Sequence, residues 1–108
     1  MKYSVLLTNA ASHDLQDIYG YISTNDSIQN ADYVLDKIEQ IFANLSDNPT
    51  RGHYPKELSE IGITEYREVN FKPYRLIYRV IDTSVYVLLI ADGRRDMNAL
   101  LQRRLFIT

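Results

Sequence analysis

The sequence predicts an α+β domain with the element order β-α-α-β-β-β-α, in which an antiparallel sheet carries an N-terminal helical hairpin on one face and a short C-terminal helix ends the chain. Three observations predict it: two apolar stripes at helical spacing in the first half, three strand-like runs in the second half, and a capped apolar segment at the end. At 108 residues the chain is expected to form one domain, residues 1–108, with a modest core.

The first half predicts one strand and two helices. Tyr3, Val5 and Leu7 alternate with less apolar neighbours, as in a strand. Two helical stripes follow, the first formed by Ala11, Leu15, Ile18, Tyr19 and Ile22 and the second by Ala31, Val34, Leu35, Ile38, Ile41, Phe42 and Leu45. The turn between them, with Asp26 or Ser27 as the cap of the second helix, is short enough to predict an antiparallel hairpin. We interpret Gly20, inside the first helix, as the mark of a close packing contact.

The second half predicts a loop, three strands and a last helix. Pro and Gly residues within 48–63 indicate a surface loop, with a short helical turn near Lys56–Glu60. The strands span Tyr66–Phe71, Tyr74–Asp82 and Val85–Ala91, and the first strand must lie beside a late one. Asp96 can cap the last helix. Its expected buried residues are Met97, Leu100, Leu101 and Leu105.

Composition excludes several classes of protein. With 45% hydrophobic and 24% charged residues the chain resembles an ordinary folded protein, and no apolar run is long enough for a membrane span or a signal peptide. Because there is no Cys and only two His, neither disulfides nor a metal site is expected, and we predict no cofactor. The absence of Cys also fits a reducing cytoplasm, which is the predicted location.

Charge is unevenly distributed between the two halves. Residues 1–65 contain four basic and ten acidic residues, whereas residues 66–108 contain eight basic and four acidic residues. A partner of the C-terminal half is therefore expected to be acidic. The net charge of -2 argues against direct, sequence-specific nucleic-acid binding.

Arginines of the C-terminal half form the candidate binding site. Side chains alternate along a strand, so Arg75 and Arg79 should share one face of their strand, while the apolar alternate face packs on the helices. We expect Arg67 on the neighbouring strand to join them on an open face. The predicted site consists of Arg67, Arg75, Arg79, Arg94 and Arg95. The alternative is a solvated sheet face with ion pairs to Glu68 or Asp92.

Two motifs give the chain a family resemblance. Tyr74-Arg75-Leu76-Ile77-Tyr78 lies in the middle strand of the three, and Gly93-Arg94-Arg95-Asp96 follows the last strand. In this order, behind a strand, a helical hairpin and a Pro/Gly loop, they resemble the RelE/ParE superfamily, the toxin halves of bacterial type II toxin-antitoxin pairs. The resemblance covers nearly the whole chain. It implies a hetero-oligomer with a cognate antitoxin, whose acidic residues we expect to pair with Arg67, Arg75, Arg94 and Arg95.

The resemblance leaves three functions open. The first is a ribosome-dependent mRNA endonuclease, as found in this superfamily. On that alternative, Arg67, Arg75 and Arg95 would be the catalytic residues of this chain. However, Val69 replaces a lysine of the nuclease pattern, Leu101 replaces a tyrosine, and residues 96–108 contain no His or Glu. The long helical hairpin and this incomplete pattern look more like the ParE branch, whose members inhibit DNA gyrase, cause growth arrest and act in plasmid stabilisation. On that interpretation no residue is catalytic. The third alternative is a target-inactive module that only binds its antitoxin.

Overall fold

The computed structural model describes residues 2–106, so Met1, Ile107 and Thr108 of the predicted domain lie outside the described residues. The elements are β1 (Ser4–Leu7), α1 (Asn9–Asn25), α2 (Ile28–Asp47), α3 (Lys56–Ser59), β2 (Arg67–Phe71), β3 (Tyr74–Ile81), β4 (Ser84–Asp92) and α4 (Met97–Leu101), which continues as the π-helical turn Gln102–Phe106. This order confirms the predicted fold class.

The sheet has the strand order β1-β4-β3-β2. The strands β2, β3 and β4 form an antiparallel meander, whereas β1 pairs with β4 in parallel, with Val5 opposite Val85. The first strand therefore lies beside a late one, as predicted, but the sheet is mixed rather than wholly antiparallel. The parallel pair is possible because the two long helices between β1 and β2 provide a crossover connection.

Helix caps set the starts of the long helices. The Thr8 side chain accepts a hydrogen bond from the backbone N–H of Ala11 at the start of α1, and Ser27 accepts one from Asn30 at the start of α2. Asp96 caps α4 in the same way. Only the caps at Ser27 and Asp96 were predicted. Since α1 and α2 are separated by a two-residue turn, they form the predicted antiparallel hairpin.

The sheet is covered on both faces. The hairpin covers one face, and the buried core there consists of Ala11, Ile38, Leu45, Val69, Leu76, Tyr78, Val85, Val87 and Ile90. A second core on the opposite face consists of Leu58 from α3, Ile77, Leu89 and Ala91 from the sheet, and Met97, Leu100 and Leu101 from α4. The face that was expected to be open is thus covered at this end, because α4 folds back onto it.

Gly20 corrects another expectation. A Cβ atom added at this residue would meet nothing within 4 Å outside its two chain neighbours and its own helical turn, so no other element of the described chain packs closely against it. The glycine is exposed on α1, where it lowers helix stability by about 1 kcal/mol relative to Ala. Packing within the monomer therefore does not explain it.

No helix between residues 2 and 106 combines the length and the apolar character that a membrane crossing requires.

Candidate functional site

Arg75 lies between two carboxylates. Its Nε and Nη2 donate to the Glu68 carboxylate at 2.9 and 2.6 Å, and its Nη1 and Nη2 donate to the Glu57 carboxylate at 2.9 and 2.7 Å. Only 17% of the Arg75 side chain and 5% of the Glu68 side chain are exposed. Because four of the five N–H donors are used in this way, Arg75 has little capacity left for an external anion.

The ion pairs of this cluster stabilise the charged forms of Arg75 and Glu57. The bonds to Glu57 and then to Glu68 raise the pKa of Arg75, and the bonds from Arg75 lower the pKa of Glu57. One guanidinium between two carboxylates leaves a net charge of about -1. Gly93 belongs to the same arrangement, since a Cβ added there would lie 2.9 Å from Cδ of Arg75.

Arg67 does not join Arg75, which corrects the sequence-based prediction. In the β2–β3 register Arg67 lies opposite Tyr78, and directly opposite residues share a face of the sheet. Arg67 therefore points to the hairpin side. There it donates to the Gly52 carbonyl at 2.8 Å, and its guanidinium carbon lies 4.9 Å from the centre of the Tyr54 ring. Its role is to hold the loop before α3.

Tyr78 holds the same loop from inside the core. The side chain is fully buried, its hydroxyl donates to the Pro49 carbonyl at 2.7 Å, and the hydroxyl accepts from the Gly52 N–H at 3.0 Å. Burial raises the pKa of this hydroxyl, so it stays protonated. These two contacts could not be predicted from the sequence, because a hydroxyl that bonds to a distant loop leaves no local pattern.

Arg79 lies on the face away from the hairpin, as the alternation predicted. It pairs with Glu65 at 3.3 Å, and its guanidinium carbon lies 5.7 Å from the centre of the Tyr66 ring. The side chain is 39% exposed. Tyr86 on β4 lies directly opposite Arg79 in the sheet.

Arg94 and Arg95 lie at the end of β4 and are both exposed. Arg94 folds back onto Asp92, donating from Nε at 3.0 Å and from Nη2 at 2.6 Å, and these bonds lower the pKa of Asp92 to about 2. Arg95 makes no ion pair with any of the residues 2–106. It is thus the predicted site residue whose charge is most accessible to a partner.

A cleft of about 670 Å³ opens beside these two arginines, between α1 and the end of β4. We call it the α1–β4 cleft. Its lining residues are Asp14, Asp17, Ile18, Tyr21, Ile22, Asn25, Asp26, Tyr74, Ile90, Ala91, Asp92, Arg94 and Arg95. Apolar side chains from α1 and β4 line it together with four aspartates and the cationic turn after β4. An arrangement of this kind can bind a peptide that combines apolar side chains with carboxylates.

The last helix offers no acid or base. Leu101, at the position of the tyrosine in the nuclease pattern, is 2% exposed and packs in the second core. Residues 97–106 contain arginine as their only titratable residue type. Within residues 2–106, moreover, the acidic and histidine side chains form no group that could hold a metal ion.

The mixed four-stranded sheet with its helical hairpin, the Tyr-Arg strand and the Gly-Arg-Arg turn together define a toxin of the RelE/ParE superfamily. The model of the family described as ParE toxin of type II toxin-antitoxin system, parDE, matches residues 5–97, and the chain belongs to this family.

One relative supports this assignment, and solved structures share the fold. Toxin ParE3 of Caulobacter vibrioides is 30% identical over 100 residues, which are 93% of this chain and 96% of that protein. A chain of the chromosomal ParDE system from P. aeruginosa superposes with a TM-score of 0.69 at 19% identity, over 84% of this chain and 96% of that one. A chain of the RelBE2 toxin-antitoxin complex from Mycobacterium tuberculosis superposes with a TM-score of 0.59 at 25% identity, over 85% and 92%.

Proposed function

We propose that this toxin acts by binding and inhibiting DNA gyrase in the cytoplasm, and that its cognate antitoxin neutralises it by forming a hetero-oligomer with it. Membership of the ParE family supports both parts. We favour gyrase inhibition over RNA cleavage because Arg75 is paired with Glu57 and Glu68.

RNA cleavage requires cations that face the phosphate and a group that moves a proton. Arg75 is neutralised by its two carboxylates, and the net negative charge of that cluster repels a phosphate. Arg67 lies on the other face of the sheet. Leu101 cannot transfer a proton. Among the described residues, the positions Arg67, Arg75 and Leu101, which match the nuclease pattern, therefore supply neither an available cation for the phosphate nor a proton donor.

The α1–β4 cleft is the antitoxin site in this proposal. An acidic amphipathic segment can place apolar side chains against Ile18, Tyr21 and Ile22 and its carboxylates beside Arg94 and Arg95. Of these two cations Arg95 contributes more, because Arg94 is already paired with Asp92. Arg75 makes no direct contact with the antitoxin here, since its donors are occupied.

Purified components test the proposal. Gyrase is assayed for supercoiling of relaxed plasmid with increasing toxin, with and without the co-expressed antitoxin, and ribosome-bound mRNA is probed for cleavage in parallel. We expect supercoiling to fall, cleaved plasmid to accumulate, and equimolar antitoxin to reverse both effects. Cleavage of mRNA with gyrase unaffected would refute the proposed target. No effect in either assay, together with tight antitoxin binding, would support the target-inactive alternative.

A further inference from the structure

A second groove lies on the helical hairpin, between α1, α2 and the end of β1. We call it the hairpin groove. It has a volume of about 440 Å³, and its lining residues are Leu7, Ser12, Leu15, Gln16, Tyr19, Gly20 and Leu35. None of these residues lines the α1–β4 cleft, so the two depressions use different residues of α1. The groove is mostly apolar, it contains no arginine, and it is separate from the antitoxin site proposed above.

Gly20 gives the first indication of what the groove is for. It lies inside a 17-residue helix, where glycine is unfavourable, and no atom of the described chain outside its two neighbours and its own helical turn comes within 4 Å of the position that a Cβ would take. A glycine in a helix that packs against nothing in its own chain leaves room for another backbone to approach. Leu15 and Leu35 remain only half-buried beside it.

Charge indicates the chemistry of the occupant. Residues 9–47, which span the hairpin, contain seven acidic residues and one lysine. Asp32 and Glu39 lie three residues before and four residues after Leu35, so both lie on the same side of α2 as this groove residue. Asp32 is fixed in place by the Tyr19 hydroxyl, which donates to it at 2.7 Å. Negatively charged carboxylates therefore flank the apolar groove, whereas the positively charged turn of Arg94 and Arg95 flanks the α1–β4 cleft.

We propose that the hairpin groove docks a basic amphipathic helix of a partner protein, with apolar side chains against Leu15 and Leu35 and lysines or arginines beside Asp32 and Glu39. The absence of a side chain at Gly20 lets that helix approach closely. Carboxylates beside this groove repel an acidic antitoxin segment, whereas Arg94 and Arg95 at the rim of the α1–β4 cleft attract one. This inference does not depend on gyrase being the target.

Model peptides test the inference with the full-length toxin. The probe is a fluorescein-labelled 18-residue helical peptide with Leu at a 3-4 spacing and Lys elsewhere. One control peptide carries Glu in place of every Lys, and the other has the same composition as the probe but a scrambled order. Fluorescence anisotropy in low salt should show saturable binding of the lysine peptide, at least tenfold weaker binding of the two controls, and weakening with added salt.

Protein variants then locate the site. Gly20→Leu fills the groove and should weaken binding of the lysine peptide at least tenfold, and Glu39→Lys should weaken it about threefold to tenfold. Arg95→Ala, at the α1–β4 cleft, is the control and should leave it unchanged. Circular dichroism and thermal unfolding establish that each variant is folded. Gly20→Ala is a second groove variant, and this substitution stabilises helix α1. Failure of the lysine peptide to bind, equal binding of the glutamate peptide, or full binding by Gly20→Leu would each overturn the inference.

Discussion

Arg104 and Asp14, 90 residues apart, form a two-pronged ion pair with Nη1–Oδ2 and Nη2–Oδ1 distances of 2.7 and 3.0 Å. Nη1 of Arg104 also donates to the Leu88 carbonyl at 2.7 Å, and Asp14 accepts from the Ile90 N–H at 3.0 Å. The parallel pairing of β1 with β4 ends at Val87. The ion pair therefore provides hydrogen-bond partners for the Leu88 carbonyl and the Ile90 N–H, which lie on β4 after Val87. It also connects the π-helical turn to α1.

Removing this fastening should loosen the C-terminal segment. Arg104→Ala leaves the Asp14 carboxylate, whose side chain is 15% exposed, without its cation, and we expect the free energy of unfolding to fall by about 2 kcal/mol. Amide hydrogen exchange of residues 97–106 should accelerate more than that of β3. The neighbouring Arg103 is exposed, so Arg103→Ala removes the same charge and should change neither measurement. Equal effects of the two substitutions would contradict this role of Arg104.

Arg75 should contribute to stability rather than to catalysis. Arg75→Ala leaves Glu68 buried without a cation, and urea unfolding at neutral pH should show a loss of about 3 kcal/mol. Glu57→Gln should cost about 1 kcal/mol, because this carboxylate is more exposed than Glu68. The double variant Arg75→Met with Glu68→Leu should recover most of the loss, since it leaves no buried charge unpaired. A loss below about 0.5 kcal/mol for Arg75→Ala would show that the pairing is dispensable.

The Asp92–Arg94 pair should make stability depend on pH at the acid end. The pKa of Asp92 is lowered from 3.8 to about 2 in the folded protein, so its contribution is complete above about pH 4 and is lost as the pH falls through 2. Because Arg94 is 81% exposed, we expect Asp92→Asn to cost only about 1 kcal/mol at pH 7.

Unfolding of wild type and Asp92→Asn between pH 2 and 7 measures this dependence. The difference in unfolding free energy should shrink as the pH falls toward 2. At pH 7, 1 M salt should also reduce it, because the Debye screening length is then only about 3 Å. A difference that stays constant over the whole range would exclude this electrostatic origin.

Arg95 should dominate the electrostatic part of antitoxin binding. Arg95→Ala removes the cation at the α1–β4 cleft that has no ion pair within residues 2–106, and we expect the dissociation constant for the antitoxin to rise about fivefold to tenfold at physiological salt. Arg94→Ala should have a smaller effect, because Asp92 already neutralises that side chain. Arg51→Ala, on the exposed loop before α3, is the charge-matched control. Calorimetric titration that finds all three variants equal to wild type would rule out the cleft as the antitoxin site.

The sequence predicted the elements well because their signals are local. Apolar residues at helical spacing indicated α1 and α2, and the side chains of Ser27 and Asp96 indicated two helix starts. Strand alternation correctly placed Arg79 on the face away from the hairpin. These features depend on residues at most a few positions apart.

Long-range partners could not be predicted in the same way. The register of β2 against β3 decides that Arg67 lies with Tyr78, and one residue of slip would reverse it. Likewise, nothing near Arg75 in the sequence shows that Glu57, 18 residues away, occupies its guanidinium. The predicted cluster of five arginines is thus divided in the structure into four parts: Arg75 between two carboxylates, Arg67 beside the loop, Arg79 paired with Glu65, and the accessible turn of Arg94 and Arg95.

Macromolecular synthesis after controlled induction tests the central claim most directly. Bacteria lacking the antitoxin are induced, and incorporation of labelled thymidine and labelled amino acids is followed in parallel from the first minutes. A gyrase-directed toxin predicts that DNA synthesis falls first, with double-strand breaks, while amino acid incorporation continues. If amino acid incorporation falls first and the DNA stays intact, the toxin acts on translation and the account given for Arg75 is wrong.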